Sequence, residues 1–230
     1  MTVRLNVCDA CGDIPSDLRD WMLPTLETVR DRAAARLELS DADVNIIVAP
    51  GQVIPEYGVG GFTFNRSVAQ IAIDPWSPLL RQPGRDARLG SVLAHEMNHL
   101  ARFRHPAAEW APPWLSRKTL GHSLIAEGLA QCFEEEMGYP PPFYAIAVEG
   151  PPLWDLAARA LALFETADFD ATAWFFGRAG DPSFPRFGGY SLGYALVRGW
   201  TMSMDTTPSE ETGLEPAEVL RAWRTGRLDI

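Results

Sequence analysis

The sequence predicts an α+β fold, a small mixed sheet followed by a mostly helical half. Three observations carry that reading. Strand patterns are confined to residues 1–84, helical periodicity runs through 85–230, and no repeat or clear linker divides the chain. The 230 residues therefore read as one domain.

Val3, Leu5 and Val7 alternate with Arg4 and Asn6, the period-2 signature of a half-buried strand. Pro15 then opens a helical stretch. Leu18, Met22, Leu26, Val29, Ala33 and Leu37 recur at spacings of three and four, and Pro24 either kinks this helix or splits it in two. The almost continuous apolar run Val44 to Ala49, rich in Val and Ile, predicts a central strand. After it, Phe62 to Phe64 and Val68 to Ile73 flank Asn65-Arg66-Ser67, which suggests a hairpin and a sheet of three to five strands. Six helical segments follow, near 86–104, 119–137, 152–165, 171–176, 189–204 and 216–223, separated by Pro112-Pro113, Pro140-Pro141-Pro142 and Pro151-Pro152. Gly138 reads as a helix C-cap.

Composition narrows the function. Hydrophobic residues at 47% and charged residues at 22% exclude disorder and a coiled-coil rod. A net charge of −10 repels nucleic acid and anionic lipid, so neither is an expected partner. No apolar run approaches the roughly eighteen residues of a membrane span, and residues 1–16 lack a signal-peptide core, so a cytoplasmic protein is expected. Three cysteines make no disulfide framework; Cys8 and Cys11 form a CxxC without a second ligand pair and read as two small thiols at a strand end.

The chemistry sits in His95-Glu96-Met97-Asn98-His99, an HExxH inside a helical segment. Four residues apart, the histidines lie about 40° apart around the axis and about 6 Å apart along it, on one face, where both imidazoles can reach one zinc. Glu96, about 60° from His99, reads as the general base acting on water. Leu89, Val92, Leu93, Leu100 and Phe103 crowd this helix, which argues against a merely solvated face.

A catalytic zinc takes three protein ligands and keeps one position open. His105, beyond the helix end set by Pro106, and His122, read as standing before the next helix, are possible third ligands. Glu127 is the better one, because it lies among apolar residues where an unneutralised carboxylate would cost several kcal/mol. Gly128 and Ala130 are small enough to let its helix approach the HExxH helix closely.

HEMNH followed by the segment AEGLAQCF, with twenty-seven residues between His99 and Glu127, resembles the gluzincin zinc peptidases. More narrowly, VLAHEMNHLARFR, LIAEGLAQCFEEEMG and GGYSLGYALVRGW look like a bacterial family of unknown function described as predicted zinc-dependent proteases, over roughly residues 58 to 200. The resemblance implies a zincin-like domain, Zn2+ on His95, His99 and Glu127, Glu96 as base, and a peptide or protein substrate. It also points to Tyr190 in Tyr190-Ser191-Leu192-Gly193, whose phenol would donate to the developing oxyanion, with His122 and Tyr194 as substitutes.

Departures from the gluzincin pattern carry their own expectations. Gly60-Gly61-Phe62-Thr63 stands where aminopeptidases of that group carry Gly-Xaa-Met-Glu-Asn; as an edge strand it could pair with an extended peptide, which favours cleavage inside a chain. Gln131, one turn after Glu127, stands where many gluzincins place an acid that orients a ligand histidine, and an amide could still hold the imidazole. Trp110 and Trp114 read as packing residues, Glu134-Glu135-Glu136 as a solvated helix end, and Arg198 as a surface residue. The rival functions are a metal-dependent hydrolase of a non-peptide amide or ester, and a partner-binding protein on the same scaffold.

Overall fold

The computed structural model describes residues 3–105 and 118–228; Pro106, Trp110, Pro112-Pro113 and Trp114, singled out above, lie outside them. Internal contacts group the chain into two compact units, Met1–Arg104 with Met137–Tyr139, and His105–Glu136 with Pro140–Ile230.

The first unit carries the sheet. Its elements are β1 (Arg4–Cys8), α1 (Ser16–Arg36), β2 (Asp43–Val48), β3 (Val59–Asn65), β4 (Val68–Ile73) and α2 (Arg85–Arg102). The strand order is β1-β2-β4-β3. Both β1 and β4 run parallel to β2, whereas β3 turns back against β4 with Gly61 opposite Ile71 and Thr63 opposite Ala69. The fold is therefore α+β with a mixed sheet, as the strand patterns require, and the Phe62 to Ile73 segment is a hairpin whose β3 arm forms one sheet edge.

Alternation decides which face is buried. Val44 and Ile46 of β2 and Ala69, Ile71 and Ile73 of β4 are buried. Helix α2 packs against β3 and β4, and α1 against α2. The stripe Leu18, Met22, Leu26, Val29 and Ala33 is the buried side of α1. Pro24 does not split this helix, which is continuous across it. Proline removes one backbone donor, so the carbonyl of Asp20 has no partner four residues on, and Pro24 itself is exposed.

The second unit is helical: α3 (Leu120–Glu136), α4 (Pro151–Leu163), α5 (Ala171–Phe176), α6 (Gly188–Met204) and α7 (Pro216–Arg224). Helices α3 and α6 make its most extensive pairing, with α4 touching both, α5 on α6, and α7 on α3. Glycine explains how close the central pair comes. A methyl group on Gly128 would strike the carbonyl of Gly193, and one on Gly193 would strike the carbonyl of Leu124. Around the crossing, Leu124, Leu129, Leu192, Leu196 and Val197 are fully buried in one apolar core.

Two further features differ from the sequence reading. Glu134, Glu135 and Glu136 are not a solvated helix end: Glu134 is 1% exposed, Glu135 accepts a hydrogen bond from Tyr194, and Glu136 accepts two from Ser209. Their charges looked surface-bound because the partners are 59 and 73 residues away in sequence. His122 lies inside the first turn of α3, not before it.

Candidate metal centre

The second half of α2 is buried on every side, from Leu89 through Arg102. Within it His95 and His99 sit one turn apart, and their Nε2 atoms are 3.1 Å from each other. The rings meet edge to face, with centroids 4.8 Å apart, and Phe103 lies nearly parallel to the His99 ring with centroids 6.3 Å apart. Two nitrogens bound to one tetrahedral zinc at about 2.0–2.1 Å lie about 3.3 Å apart. The observed spacing therefore fits two imidazoles turned toward one ion.

Glu96 occupies the same buried turn and is 5% exposed. Its carboxylate lies against β3: the Thr63 hydroxyl donates to Oε2 at 2.7 Å and lies 3.1 Å from the main-chain oxygen of the same residue. Strand period places Gly61 and Thr63 on one face. A methyl group added at Gly61 would come within 2.5 Å of Oε1 of Glu96. The edge position of this segment is legible in the sequence, but its contact with Glu96 is not, since only the sheet register fixes which residues face α2.

Glu127 is half-buried on α3, directly before the Gly128 crossing. One ligand atom from each of His95, His99 and Glu127 lies within 4.8 Å of the other two, the grouping of metal-binding side chains found among the described residues. The other candidates have different surroundings. His105 places Nε2 3.0 Å from the Thr212 hydroxyl, and His122 places Nδ1 2.8 Å from the Thr119 hydroxyl. Gln131 is fully buried, yet among the described residues neither atom of its amide has a hydrogen-bond partner, so it does not hold the imidazole of His95 or His99. Asn98, between the two histidines in sequence, is buried and likewise has no side-chain hydrogen-bond partner among the described residues.

Tyr190 is in the first turn of α6, one turn before Gly193. Its ring is half-buried among Tyr144, Phe175, Phe176 and Phe187, with centroid distances from 5.0 to 6.2 Å. Tyr194 is engaged elsewhere: its hydroxyl donates to Glu135 Oε2 at 2.5 Å, and Arg198, exposed as expected, lies over its ring. Burial and the Glu135 carboxylate together push the Tyr194 phenol well above its ordinary range, so it stays protonated. Cys8 and Cys11 are exposed at the end of β1, and among the described residues they join no group of three metal-binding side chains.

The pattern defining one protein family, described as "Predicted Zn-dependent protease (DUF2268)", matches residues 78–221, more than half of the chain. The chain belongs to this family. The match includes α2 with its HExxH, α3 with Glu127 and α6 with Tyr190, so the DUF2268 region contains every residue of the candidate centre except those of β3. No curated protein and no solved structure matches the chain. Among the described residues of this DUF2268 protein no helix is long and apolar enough to cross a membrane.

Proposed function

We propose that this chain is a zinc-dependent peptidase of gluzincin type, cleaving inside extended polypeptides. The observation that carries the reading is the buried His95–His99 pair, with Nε2 atoms 3.1 Å apart and Glu127 grouped with them. Membership of a family described as a predicted zinc-dependent protease supports it. His95, His99 and Glu127 would hold the ion, two neutral nitrogens and one carboxylate oxygen being a common catalytic zinc set. Bound there, zinc supplies Lewis acidity that polarises a substrate carbonyl and acidifies water.

The chain's own residues perform the proton chemistry. Glu96 accepts a proton from the attacking water and returns it to the departing amine, so the carboxylate ends each cycle as it began. Its burial against β3 keeps it from swinging into solvent between the two transfers. Tyr190 is the oxyanion donor in this reading: a phenol donates a hydrogen bond to growing negative charge without competing for the metal. The edge position of β3 suits a substrate bound as an added strand, since the free backbone groups of an edge can pair with a peptide of any length that runs past both ends.

Incubation of zinc-loaded protein with a peptide library, followed by mass spectrometry, tests the reading. Internal cleavage products that vanish with chelator, return with zinc and are missing from Glu96→Gln are expected. Hydrolysis confined to simple esters or to terminal residues would overturn the internal-peptidase assignment. No hydrolysis by fully zinc-loaded protein would overturn the enzyme and leave the partner-binding scaffold.

A further inference from the structure

The general base is held by a strand that lies outside the family's matched region. Strand β3 alternates Gly61 and Thr63 on the face toward α2 with Phe62 and Phe64 on the other, where both phenyl rings are exposed. The two inward positions meet Glu96 from two sides. Thr63 presents a hydroxyl to Oε2 at 2.7 Å, and Gly61 presents bare backbone where any side chain would collide with Oε1 and Cγ.

We propose that Thr63 and Gly61 are positioning residues for Glu96: the hydroxyl fixes one carboxylate oxygen, and the missing side chain lets the carboxylate lie flat against the strand. The inference rests on Glu96 being the base.

Three physical arguments support a dedicated role. A hydroxyl has a single proton, and here the nearer acceptor is the carboxylate oxygen at 2.7 Å rather than the main-chain oxygen at 3.1 Å. Hydrogen bonds to an ionised acceptor are stronger and more directional than neutral ones, which suits orientation of a carboxylate. Threonine is also branched at Cβ, so its rotamer is stiffer than that of serine, and Thr63 is buried, which removes competing water. Register makes the arrangement all or nothing. The pairing of Gly61 with Ile71 and Thr63 with Ala69 fixes these residues inward, and a slip by one residue would turn the two phenylalanines toward Glu96 instead.

The test compares wild type with Thr63→Val, Thr63→Ser and Gly61→Ala, each zinc-loaded. Zinc content, thermal midpoint, kcat and KM on a cleaved peptide, and the affinity for acetohydroxamate, which hands a proton to the base on binding, are measured for each. Thr63→Val is expected to lower kcat about tenfold to a hundredfold with KM and zinc content near wild type and the chain still folded, and to weaken acetohydroxamate in parallel. Thr63→Ser should recover most of that loss, Gly61→Ala should lose kcat with zinc retained, and Thr63→Val added to Glu96→Gln should cost nothing further.

An active wild type whose Thr63→Val variant keeps full kcat and acetohydroxamate affinity would overturn the positioning role and leave the peptidase reading standing. Loss of zinc or of folding in both Thr63→Val and Gly61→Ala would also overturn it, making β3 a structural support. A zinc-loaded wild type that neither cleaves peptide nor binds acetohydroxamate would overturn the peptidase reading and this role with it.

Discussion

Single side chains in this protein owe their chemistry to what buries them. Three ionisable groups, His95, Glu96 and His99, sit in a helical turn with almost no solvent contact, which is costly for charged forms unless each is matched. Cys132 shows the opposite use of burial. Enclosed in the α3/α6 core with its sulfur 3.8 Å from the Tyr194 carbonyl, its thiol is pushed far above the ordinary range, first by desolvation and then by the nearby Glu135 charge. Thiolate is the reactive form, so iodoacetamide at pH 8 should label Cys8 and Cys11 in the folded protein and reach Cys132 only after denaturation. Mass spectrometry showing three labels on the native chain would contradict this. The sign of the linkage follows: the unfolded chain ionises Cys132 at lower pH than the folded one, so its effect on stability is absent at neutral pH and destabilising as pH rises through the ordinary thiol range. Chemical denaturation of wild type and Cys132→Ala at pH 7 and pH 10 would show the difference between them shrinking at high pH.

At the level of elements, small residues and prolines set the geometry. Gly128 and Gly193 let α3 and α6 touch backbone to backbone, and the helix that carries Glu127 is placed by that contact. Gly128→Ala forces a methyl against a main-chain carbonyl that cannot rotate away, so a loss of about 1–3 kcal/mol or more is expected from urea denaturation. Pro24 works the other way. It sits exposed in the interior of α1, and replacing it with alanine restores a backbone hydrogen bond there; a gain of up to about 3 kcal/mol is expected, and a measured loss would contradict this. Ser191 joins two segments: its hydroxyl donates to the Tyr144 carbonyl and accepts from the Val148 amide, each at 3.1 Å and buried. Ser191→Ala leaves both main-chain groups without that partner, and about 1–3 kcal/mol of destabilisation should follow in the same assay.

For the molecule as a whole, the pattern of legibility follows the range of the interactions. The HExxH spacing, the alternation of β1, β2 and β4, and the apolar stripe of α1 are local, and the elements they predict occur within a residue or two of the expected ends. Interactions between distant segments left no comparable mark. Nothing local to Glu134-Glu135-Glu136 signals Tyr144, Tyr194 or Ser209, and nothing local to Gly61 or Thr63 signals Glu96. Gln131 matched a familiar position yet has no hydrogen-bond partner among the described residues, because spacing along a helix sets direction without guaranteeing a partner at its end. Metal bound by the folded chain and not by the unfolded chain raises global stability, by about 4 kcal/mol when free zinc is a thousand times its dissociation constant. Chelator should therefore lower the thermal midpoint of wild type and leave that of His95→Ala unchanged; equal shifts in both would place the metal elsewhere.

Elemental analysis of purified wild type beside His95→Ala, Glu127→Ala and Glu96→Gln decides whether His95, His99 and Glu127 hold the ion. One zinc per chain in wild type and Glu96→Gln, and none in the two alanine variants, is the predicted result. Zinc retained by Glu127→Ala, or a wild type that takes up no metal even after zinc is supplied, would contradict it.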